Sequence, residues 1–433
     1  MKKIDDIKKR AALAREAVLV FMGIGLGALG TLVGIKVLTN HLDPEIYGQV
    51  FLGMTFVNLA LYQIGRPLGS AATRFHSIAL QKNQYPGYER TIKKSGLVIA
   101  QCLGCLALIF FALGWWMYGW IAVLSLLLCI DALFNGVQTG ARERGIVASL
   151  QSLVTWTRFI FAILAIILFE SKSVNIVLFG FCVSALLNVF LQIVLYRRSR
   201  RKSGIECETQ ETTYSSRGFF TYVWPLALTG SITWVMLFID KWALEYFSSG
   251  EDVGIYFALF QIGYAPVLLL FTGTYYVVAP IIFEQVGEET TPEQMRRVYG
   301  KIELLSLGTL GVTLLGAACV WLAHDWVGSM LLGPLYASHS SLLPWLVLTG
   351  GMFASGTQLM LSIQSGLDQK PLLFQRTVSM AIAITCYGLG AMYDGLVGTV
   401  IGGVVFSILY LCVALGVHLH TRGRTLAENG RRR

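Results

Sequence analysis

Polar and cationic side chains recur every fourth residue within an otherwise apolar part of the chain. The stretch from Lys36 to Ser77 leaves one apolar run, makes a short polar turn and enters a second apolar run. At four-residue spacing, this second run carries Asn58, Tyr62, Arg66, Ser70 and Arg74. Side chains four residues apart are neighbours on a helix. Because the planar guanidinium of arginine binds phosphate oxygens bidentately, the pattern indicates a binding surface for phosphate or another anion.

Four cations lie within apolar runs or at their edges, and they are the predicted cationic lining of a cavity: Lys36, Arg66, Arg74 and Arg158. A charge at the bilayer centre costs roughly 2.5–3.5 kcal/mol on insertion scales, so such residues usually face a bundle interior or a water-filled cavity. The alternative for Lys36, Arg74 and Arg158 is that they extend to the lipid headgroups. Arg66 lies deeper and precedes Pro67, which is expected to break the helix and to free backbone groups beside the cavity.

Uncharged polar residues are predicted to complete the lining: Asn58, Tyr62, Ser70, Asn135 and Gln138. Asp131 shares a helix face with Asn135 and Gln138. It is a candidate for carrying a coupling proton or for pairing with an arginine, and the alternative is a structural polar contact. Asp240 is the second candidate for ion coupling. With Lys241, it forms either an interfacial pair at the outer end of a span or part of the cavity.

The composition indicates an integral membrane protein. Of the 433 residues, 55% are hydrophobic and 14% are charged, whereas soluble domains carry about 25% charged residues. We predict about 12 membrane-spanning helices, since the apolar runs are too long for barrel strands. They cover about 17–38, 47–70, 95–114, 118–136, 150–169, 174–196, 219–239, 253–279, 302–323, 342–363, 373–392 and 395–418. Neither a phosphate-binding P-loop nor a metal motif is present in the sequence, so no cofactor is predicted.

Charge and repetition predict the arrangement of these helices. If both termini are cytoplasmic, only Lys172 and Lys241 of the 34 Lys and Arg lie outside, apart from the four cations described above. A charged linker at 197–218 separates a six-helix lobe at 1–196 from a second at 219–433. Short matches between the halves, such as the glycines Gly48 and Gly254, indicate a repeat. Six spans per lobe give both lobes the same orientation, and thus a pseudo-twofold axis along the membrane normal.

The segments LTNHLDPEIYGQV and RPLGSAATRF resemble the first two helices of the oligosaccharide flippases (Wzx-type). These are polysaccharide transporters of the multidrug/oligosaccharidyl-lipid/polysaccharide exporter superfamily. The resemblance implies two six-helix lobes in a V and translocation of an undecaprenyl-pyrophosphate-linked repeat unit to the outer leaflet. It further implies a role in O-antigen (lipopolysaccharide), exopolysaccharide or capsule assembly at the inner (plasma) membrane. A proton or sodium gradient is the expected energy source.

Partners follow from the same interpretation: the lipid-linked oligosaccharide, membrane lipids, and a glycan polymerase or other assembly proteins, but no nucleic acid. Two alternatives share the fold. A multidrug exporter is expected to favour membrane carboxylates over arginines, and a lipid II flippase typically has two more spans. An enzyme such as a polymerase or ligase is expected to carry a large outer loop, which the short outer loops of this sequence disfavour.

Overall fold

The computed structural model describes residues 22–23, 25–202, 216–271, 273–274, 278, 292–364 and 370–431, and these residues contain helices but no strands. They divide into two compact units, one of residues up to His41 with Gln49–Trp234, and one of Leu42–Gly48 with Val235–Arg433. The boundary between two six-helix lobes, which the sequence places at a linker over 197–218, stays a prediction.

Unit 1 consists, in its described residues, of six helices and parts of two others. They are α1 (25–41), α2 (Pro44–Ala60), α3 (Arg66–Gln81), α4 (Tyr85–Ala112), α5 (Trp116–Gly140), α6 (Arg144–Phe169), α7 (Val174–Lys202) and the first part of α8 (Ser216–Phe247). The first residues of α2 and the last of α8 belong to unit 2. Unit 2 then contains α9 (Gly250–Gly263), α10 (265–271), α11 (Pro292–Leu331), α12 (Pro334–Ala337), α13 (Leu343–Leu359), α14 (Leu361–Gln364) and α15 (Lys370–Arg431).

Nine helices in the described ranges are long and apolar enough to cross a membrane. One of them, α15, contains non-helical backbone at Asp394 and Gly395, where Gly395 has a φ of 45°. The chain reverses at this point, because a Cβ on Gly390 would lie 2.2 Å from the Gly398 carbonyl oxygen and one on Gly402 would lie 2.5 Å from the Cys386 carbonyl oxygen. The element α15 therefore consists of two antiparallel helical segments that correspond to the predicted spans 373–392 and 395–418, and glycine permits the positive φ of the turn without steric cost. The predicted spans 17–38 and 47–70 coincide with α1, in its described part, and with α2 and the start of α3.

The chain does not break at Pro67 as predicted. Instead, α2 passes through one π-helical turn, Leu61–Gly65, directly into α3. The amide of Arg66 donates to the carbonyl of Leu61, five residues back. Proline lacks an N–H, and its ring clashes with the carbonyl four residues earlier in a regular helix. A wider turn before Pro67 accommodates both constraints, and π-turns of this kind are frequent at functional sites.

The core of unit 1 depends on the close approach of α3 and α5. A Cβ atom on Gly136 would lie 2.2 Å from the carbonyl oxygen of Gly69, so neither helix can carry a larger residue there without moving. Thr73 donates from Oγ1 to the Gly136 carbonyl at 2.8 Å. The Tyr88 hydroxyl of α4 donates to the Ala72 carbonyl of α3 at 2.9 Å. These contacts fix one face of α3 in the core and leave the opposite face accessible.

The core of unit 2 joins the start of α2 to α9 and α12. Tyr336 donates from its hydroxyl to the Leu42 carbonyl at 2.9 Å and packs edge-on against Tyr47, with the ring centroids 5.6 Å apart. Gly48 lies directly against Gly254, where a Cβ on Gly48 would meet the Gly254 nitrogen at 2.8 Å. The two glycines that the sequence pairs as equivalent positions are therefore in contact with each other.

The glycine contact between α3 and α5 leads to a stability prediction. We expect Gly136→Ala to lower the free energy of unfolding by about 1–3 kcal/mol, since the added methyl must push two backbones apart. Gly96→Ala is the matched control in α4, because a Cβ there meets only Leu133 at an ordinary 3.8 Å, and alanine favours helix. Thermal unfolding of the purified protein by tryptophan fluorescence measures both. An equal or higher melting temperature for Gly136→Ala than for Gly96→Ala would contradict the contact.

Candidate functional site

The five residues at four-residue spacing form one accessible ridge on α2 and α3, and we call them the cationic ridge. Asn58 and Tyr62 are half-buried, whereas Arg66, Ser70 and Arg74 are exposed. The residues between them that pack in the core of unit 1, such as Leu68, Ala71 and Ala72, are buried. The buried residues pack in the core of unit 1, and the cationic ridge therefore lies on the opposite face of one nearly continuous helix.

Each arginine of the ridge lies over an aromatic ring. The guanidinium carbon of Arg66 is 4.0 Å from the centre of the Tyr62 ring, and that of Arg74 is 4.7 Å from the centre of the Tyr222 ring. A ring beneath the guanidinium contributes about 0.5–1 kcal/mol at exposed sites and leaves the edges of the planar group available to hydrogen-bond acceptors. With a rise of about 1.5 Å per residue, the two arginines are roughly 12 Å apart along the helix.

The first part of α8 packs beside the ridge within unit 1. Trp234 donates from Nε1 to the Thr55 carbonyl at 2.8 Å, and Gln63 donates from Nε2 to Ser231 Oγ at 3.2 Å. Gly230 allows this approach, because a Cβ there would meet the Tyr62 carbonyl oxygen at 2.3 Å. Sequence reasoning missed Tyr222, Gln63 and Ser231. Only the spacing within α2 and α3 was informative, and nothing in the sequence signals which residues α8 brings to the ridge.

The other two predicted cations occupy different places in unit 1. Lys36 is half-buried on α1. Arg158 is half-buried on α6, where its guanidinium carbon lies 4.8 Å from the Phe159 ring and 5.5 Å from the Phe181 ring. Arg158 thus packs where α6 meets α7. A role in the cavity for Lys36 and Arg158 stays a prediction.

A polar ladder joins α5 to α7, formed by Asp131 and Asn135 on α5 and by Asn188 and Gln192 on α7. Asp131 accepts hydrogen bonds from the amide nitrogens of Asn135, at 2.8 Å, and Asn188, at 2.5 Å. Gln192 donates from Nε2 to Asn135 Oδ1 at 2.7 Å. Asp131 accepts from amides and forms no ion pair with an arginine in the described chain. Gln138, one turn farther along α5, is fully buried, and its place in the cavity lining stays a prediction.

Asp240 and Lys241 form a buried ion pair in unit 2. Of the two predicted alternatives, an exposed interfacial pair does not agree with this burial, and a role of Asp240 in the cavity or in ion coupling stays a prediction. Helix α8 continues to Phe247, and the two side chains are 2% and 1% exposed. Lys241 Nζ lies 2.6 Å from Asp240 Oδ2, which also accepts from the Tyr256 hydroxyl at 2.8 Å. The Phe260 ring lies 3.5 Å from the Lys241 nitrogen. The lysine that we predict outside the membrane is therefore enclosed in the protein core.

An apolar cavity of about 880 Å³ lies beside the π-turn of unit 1. Its walls come from α2, α4 and α5 and are largely aromatic, with Phe56, Phe110, Trp115 and Tyr118 among them. Gln63 and Ile64 of the π-turn line the same cavity. In the described ranges, no group of three or more His, Cys, Asp or Glu side chains is arranged to hold a metal ion.

A family model described as "Polysaccharide biosynthesis protein" matches residues 13–286, well over half of the chain. A search of curated proteins finds no match. Among solved structures, an outward-facing multidrug resistance MATE family transporter of the MOP superfamily covers 97% of this chain and 96% of its own, with a TM-score of 0.64 and 15% identity. The lipid II flippase MurJ in an inward closed conformation covers 96% and 91%, with a TM-score of 0.65 and 11% identity.

A third similar structure is a MOP superfamily transporter from Pyrococcus furiosus, whose binding pocket is described as having reverse polarity. It covers 97% of this chain and 96% of its own, with a TM-score of 0.62 and 15% identity. At these identities the structures show the fold alone. They confirm the predicted fold class, a polytopic all-α membrane protein with a twelve-span transporter architecture, and the family match confirms the predicted resemblance.

The buried ion pair of unit 2 gives a second stability prediction. Asp240→Asn leaves a buried ammonium without a counter-charge, so we expect a loss of about 3–5 kcal/mol in the free energy of unfolding. The double variant Asp240→Asn with Lys241→Met removes both charges and is expected to recover most of that loss, as an apolar side chain suits the surrounding rings. Thermal unfolding of both variants provides the measurement. A double variant no more stable than Asp240→Asn would show that the pair is not coupled in this way.

Proposed function

Because the chain belongs to the family of polysaccharide biosynthesis proteins, we propose that it is a flippase for an undecaprenyl-pyrophosphate-linked oligosaccharide. It moves the headgroup from the cytoplasmic to the outer leaflet for the assembly of O-antigen, exopolysaccharide or capsule. The single observation that carries this proposal is the accessible pair Arg66 and Arg74, each placed over an aromatic ring on one face of unit 1.

The chemistry of the two arginines suits a pyrophosphate. Each guanidinium offers several N–H donors in a fixed plane, which matches the paired oxygens of a phosphate. The ring beneath each one restricts its rotation before the ligand arrives and so lowers the entropy lost on binding. Arg66 follows the π-turn, whose wider backbone sets the direction in which this part of the ridge faces. The two arginines provide positive charge over roughly 12 Å of helix, enough for an elongated anionic headgroup.

The remaining ridge residues suit the sugars. Asn58 and Ser70 present an amide and a hydroxyl on the same face as the arginines, and Gln63 adds an amide beside them, held by Ser231. Amides and hydroxyls both donate and accept, as sugar hydroxyls require. The arrangement therefore supports a polar path along α2 and α3, with the phosphates at the arginines and the glycan extending along the ridge.

The apolar cavity beside the π-turn suits the lipid part of the substrate. Its aromatic and aliphatic walls match a polyprenyl chain, and the π-turn contributes to both the cavity and the ridge. The headgroup then moves through water while the chain stays in a hydrocarbon environment. Alternation between inward-open and outward-open states, reset by an ion gradient, completes the proposed cycle at the inner membrane. The proposed topology has both termini in the cytoplasm, and a glycan polymerase is a proposed partner.

A multidrug exporter is the second candidate, supported by the shared fold of the MATE transporter. The exposed charges of the ridge are arginines, which repel cationic drugs and attract anions. The reverse polarity described for the Pyrococcus furiosus transporter indicates that this fold carries pockets of differing charge. Lipid II is itself a lipid-linked pyrophosphate, so a lipid II flippase differs from our proposal in the headgroup only. Identification of the lipid that accumulates without the protein separates the three functions.

We expect Arg66→Gln and Arg74→Gln each to reduce flipping roughly tenfold or more, since a charge-assisted hydrogen bond contributes about 1.5–3 kcal/mol. Arg90→Gln is the matched control, an exposed arginine on α4 away from the ridge. The measurement is mass spectrometry of polyprenyl-linked glycans in cells carrying each variant, together with a leaflet-accessibility probe and protein levels by immunoblot. The complete lipid-linked glycan is expected to accumulate facing the cytoplasm in the two ridge variants.

Normal surface glycan in both ridge variants, at normal protein level, would remove the ridge from the substrate path. If a gene deletion accumulates no polyprenyl-linked glycan and instead sensitises the cells to cationic drugs, the export function replaces the flippase. Accumulation of lipid II on deletion would assign the chain to peptidoglycan precursors.

A further inference from the structure

We infer that the polar ladder between α5 and α7 is a sodium-binding site, formed by Asp131, Asn135, Asn188 and Gln192. The inference rests on the proposed function in one respect: sodium there would be the ion that drives the flippase. Binding of the ion itself requires no glycan, so the site is testable on the purified protein.

The geometry of the ladder is regular. Asp131 and Asn135 are four residues apart on α5, and Asn188 and Gln192 are four residues apart on α7, so each pair occupies one ridge of its helix. Asn188 reaches Asp131 and Gln192 reaches Asn135, which makes two parallel rungs across the contact. Asn135 also donates to Asp131 along α5. One carboxylate and three amides are therefore linked in a continuous chain of three hydrogen bonds, from Asn188 through Asp131 and Asn135 to Gln192.

Two oxygens of the ladder lack a donor. Asn188 Oδ1 and Gln192 Oε1 are buried without a hydrogen-bond partner, on side chains that are 4% and 0% exposed. The nitrogens of the same two amides are used in the rungs. A buried acceptor without a donor is costly, and each such group calls for an explanation. A bound cation supplies one, because oxygen atoms of amides and carboxylates are the ligands that hard cations take.

The charge of the site selects a monovalent cation. Asp131 is the single carboxylate of the ladder, its hydrogen-bond donors are neutral amides, and no lysine, arginine or histidine pairs with it in the described chain. One positive charge neutralises it, whereas a divalent ion would leave a net charge in a poorly solvated place. Asp131 and Asn135 are partly exposed, so an ion can reach the site from that side.

The number of orphan oxygens favours sodium over a proton. A proton on Asp131 provides one new hydrogen-bond donor and can satisfy one acceptor, which leaves the other buried oxygen without a partner. A sodium ion is coordinated by several oxygens at once, as in transporters where carbonyl oxygens hold the coupling ion. Rotation of the Asn188 amide by 180° exchanges its nitrogen and oxygen and turns a carbonyl oxygen towards the carboxylate. The ladder thus has two arrangements, one hydrogen-bonded and one coordinating.

The same helix connects the ladder to the cationic ridge. Ala132, next to Asp131, packs against both Gly65 and Gly69, the glycines on either side of Arg66 and Pro67. A Cβ on Gly65 would lie 3.3 Å from Ala132 Cβ, and one on Gly69 would lie 2.6 Å from the Ala132 carbonyl oxygen. Movement of α5 by a fraction of an ångström on ion binding must therefore move the π-turn or α3. This contact gives the ion a physical route to Arg66.

The test uses the purified full-length protein in detergent, with melting temperature measured against NaCl at constant ionic strength, potassium or choline chloride replacing sodium. We expect sodium, but neither potassium nor choline, to raise the melting temperature by roughly 2–5 °C in a saturable manner. Asp131→Asn and Gln192→Leu are expected to abolish it, and binding of ²²Na⁺ should be lost in parallel. Asp325→Asn, which removes an exposed carboxylate in unit 2, is the control and should keep the full rise.

The sodium site would be overturned if potassium or choline raised the melting temperature as much as sodium does. It would also be overturned if the sodium-dependent rise in melting temperature persisted in both Asp131→Asn and Gln192→Leu. Stabilisation by acid without any effect of sodium would replace the sodium ion with a proton. If Asp131→Asn does not fold, Gln192→Leu, which keeps the carboxylate, decides the question. Arg66→Gln should retain the sodium response. A retained response together with unchanged glycan lipids in deletion cells would reject the flippase and leave the sodium site standing.

Discussion

The glycine contact between α3 and α5 is the constraint on which the candidate site depends. Gly69 and Gly136 let two membrane helices approach to backbone distance, and Thr73 donates across the same contact. In lipid, where apolar surface gives little driving force between helices, close packing of small residues is a main source of association. Because this face of α3 is fixed against α5, the opposite face of the same helix is the one that presents Ser70 and Arg74.

Proline adds the second constraint, and the two act on neighbouring residues. Pro67 excludes a regular helix, and the chain responds with one wide turn whose hydrogen bond from Arg66 reaches back to Leu61. The turn keeps the backbone bonded, which a membrane segment requires. It also rotates the side chains of α2 about the helix axis relative to those of α3. Tyr62 belongs to this turn, and its ring lies beneath Arg66, with the guanidinium carbon 4.0 Å from the ring centre.

Sequence reasoning predicted what periodicity and hydropathy determine. It identified the helical membrane fold, the accessible spacing of the ridge from Asn58 to Arg74 and the shared face of Asp131 and Asn135. It did not predict the partners of these residues, since Tyr222, Asn188 and Gln192 reach them from helices far along the chain. It paired Asp240 with Lys241 but left their surroundings open, because a lysine near the apparent end of an apolar run gives no sign that aromatic rings enclose it. The packing of distant helices determines these contacts, and no local pattern in a single sequence reveals which helices will meet.

The carboxylates inside the two units have different partners, and this difference bears on the mechanism. In unit 2, the charges of Asp240 and Lys241 neutralise each other at 2.6 Å in a fully enclosed place. In unit 1, Asp131 has neutral partners only and stays partly accessible. A paired charge resists rearrangement, because separating the partners leaves each uncompensated. A carboxylate held by amides has no such penalty to overcome when an ion arrives or leaves. In the proposed cycle, this difference places the first response to the ion in unit 1, on the helix whose Ala132 packs against the glycines that flank Arg66 and Pro67.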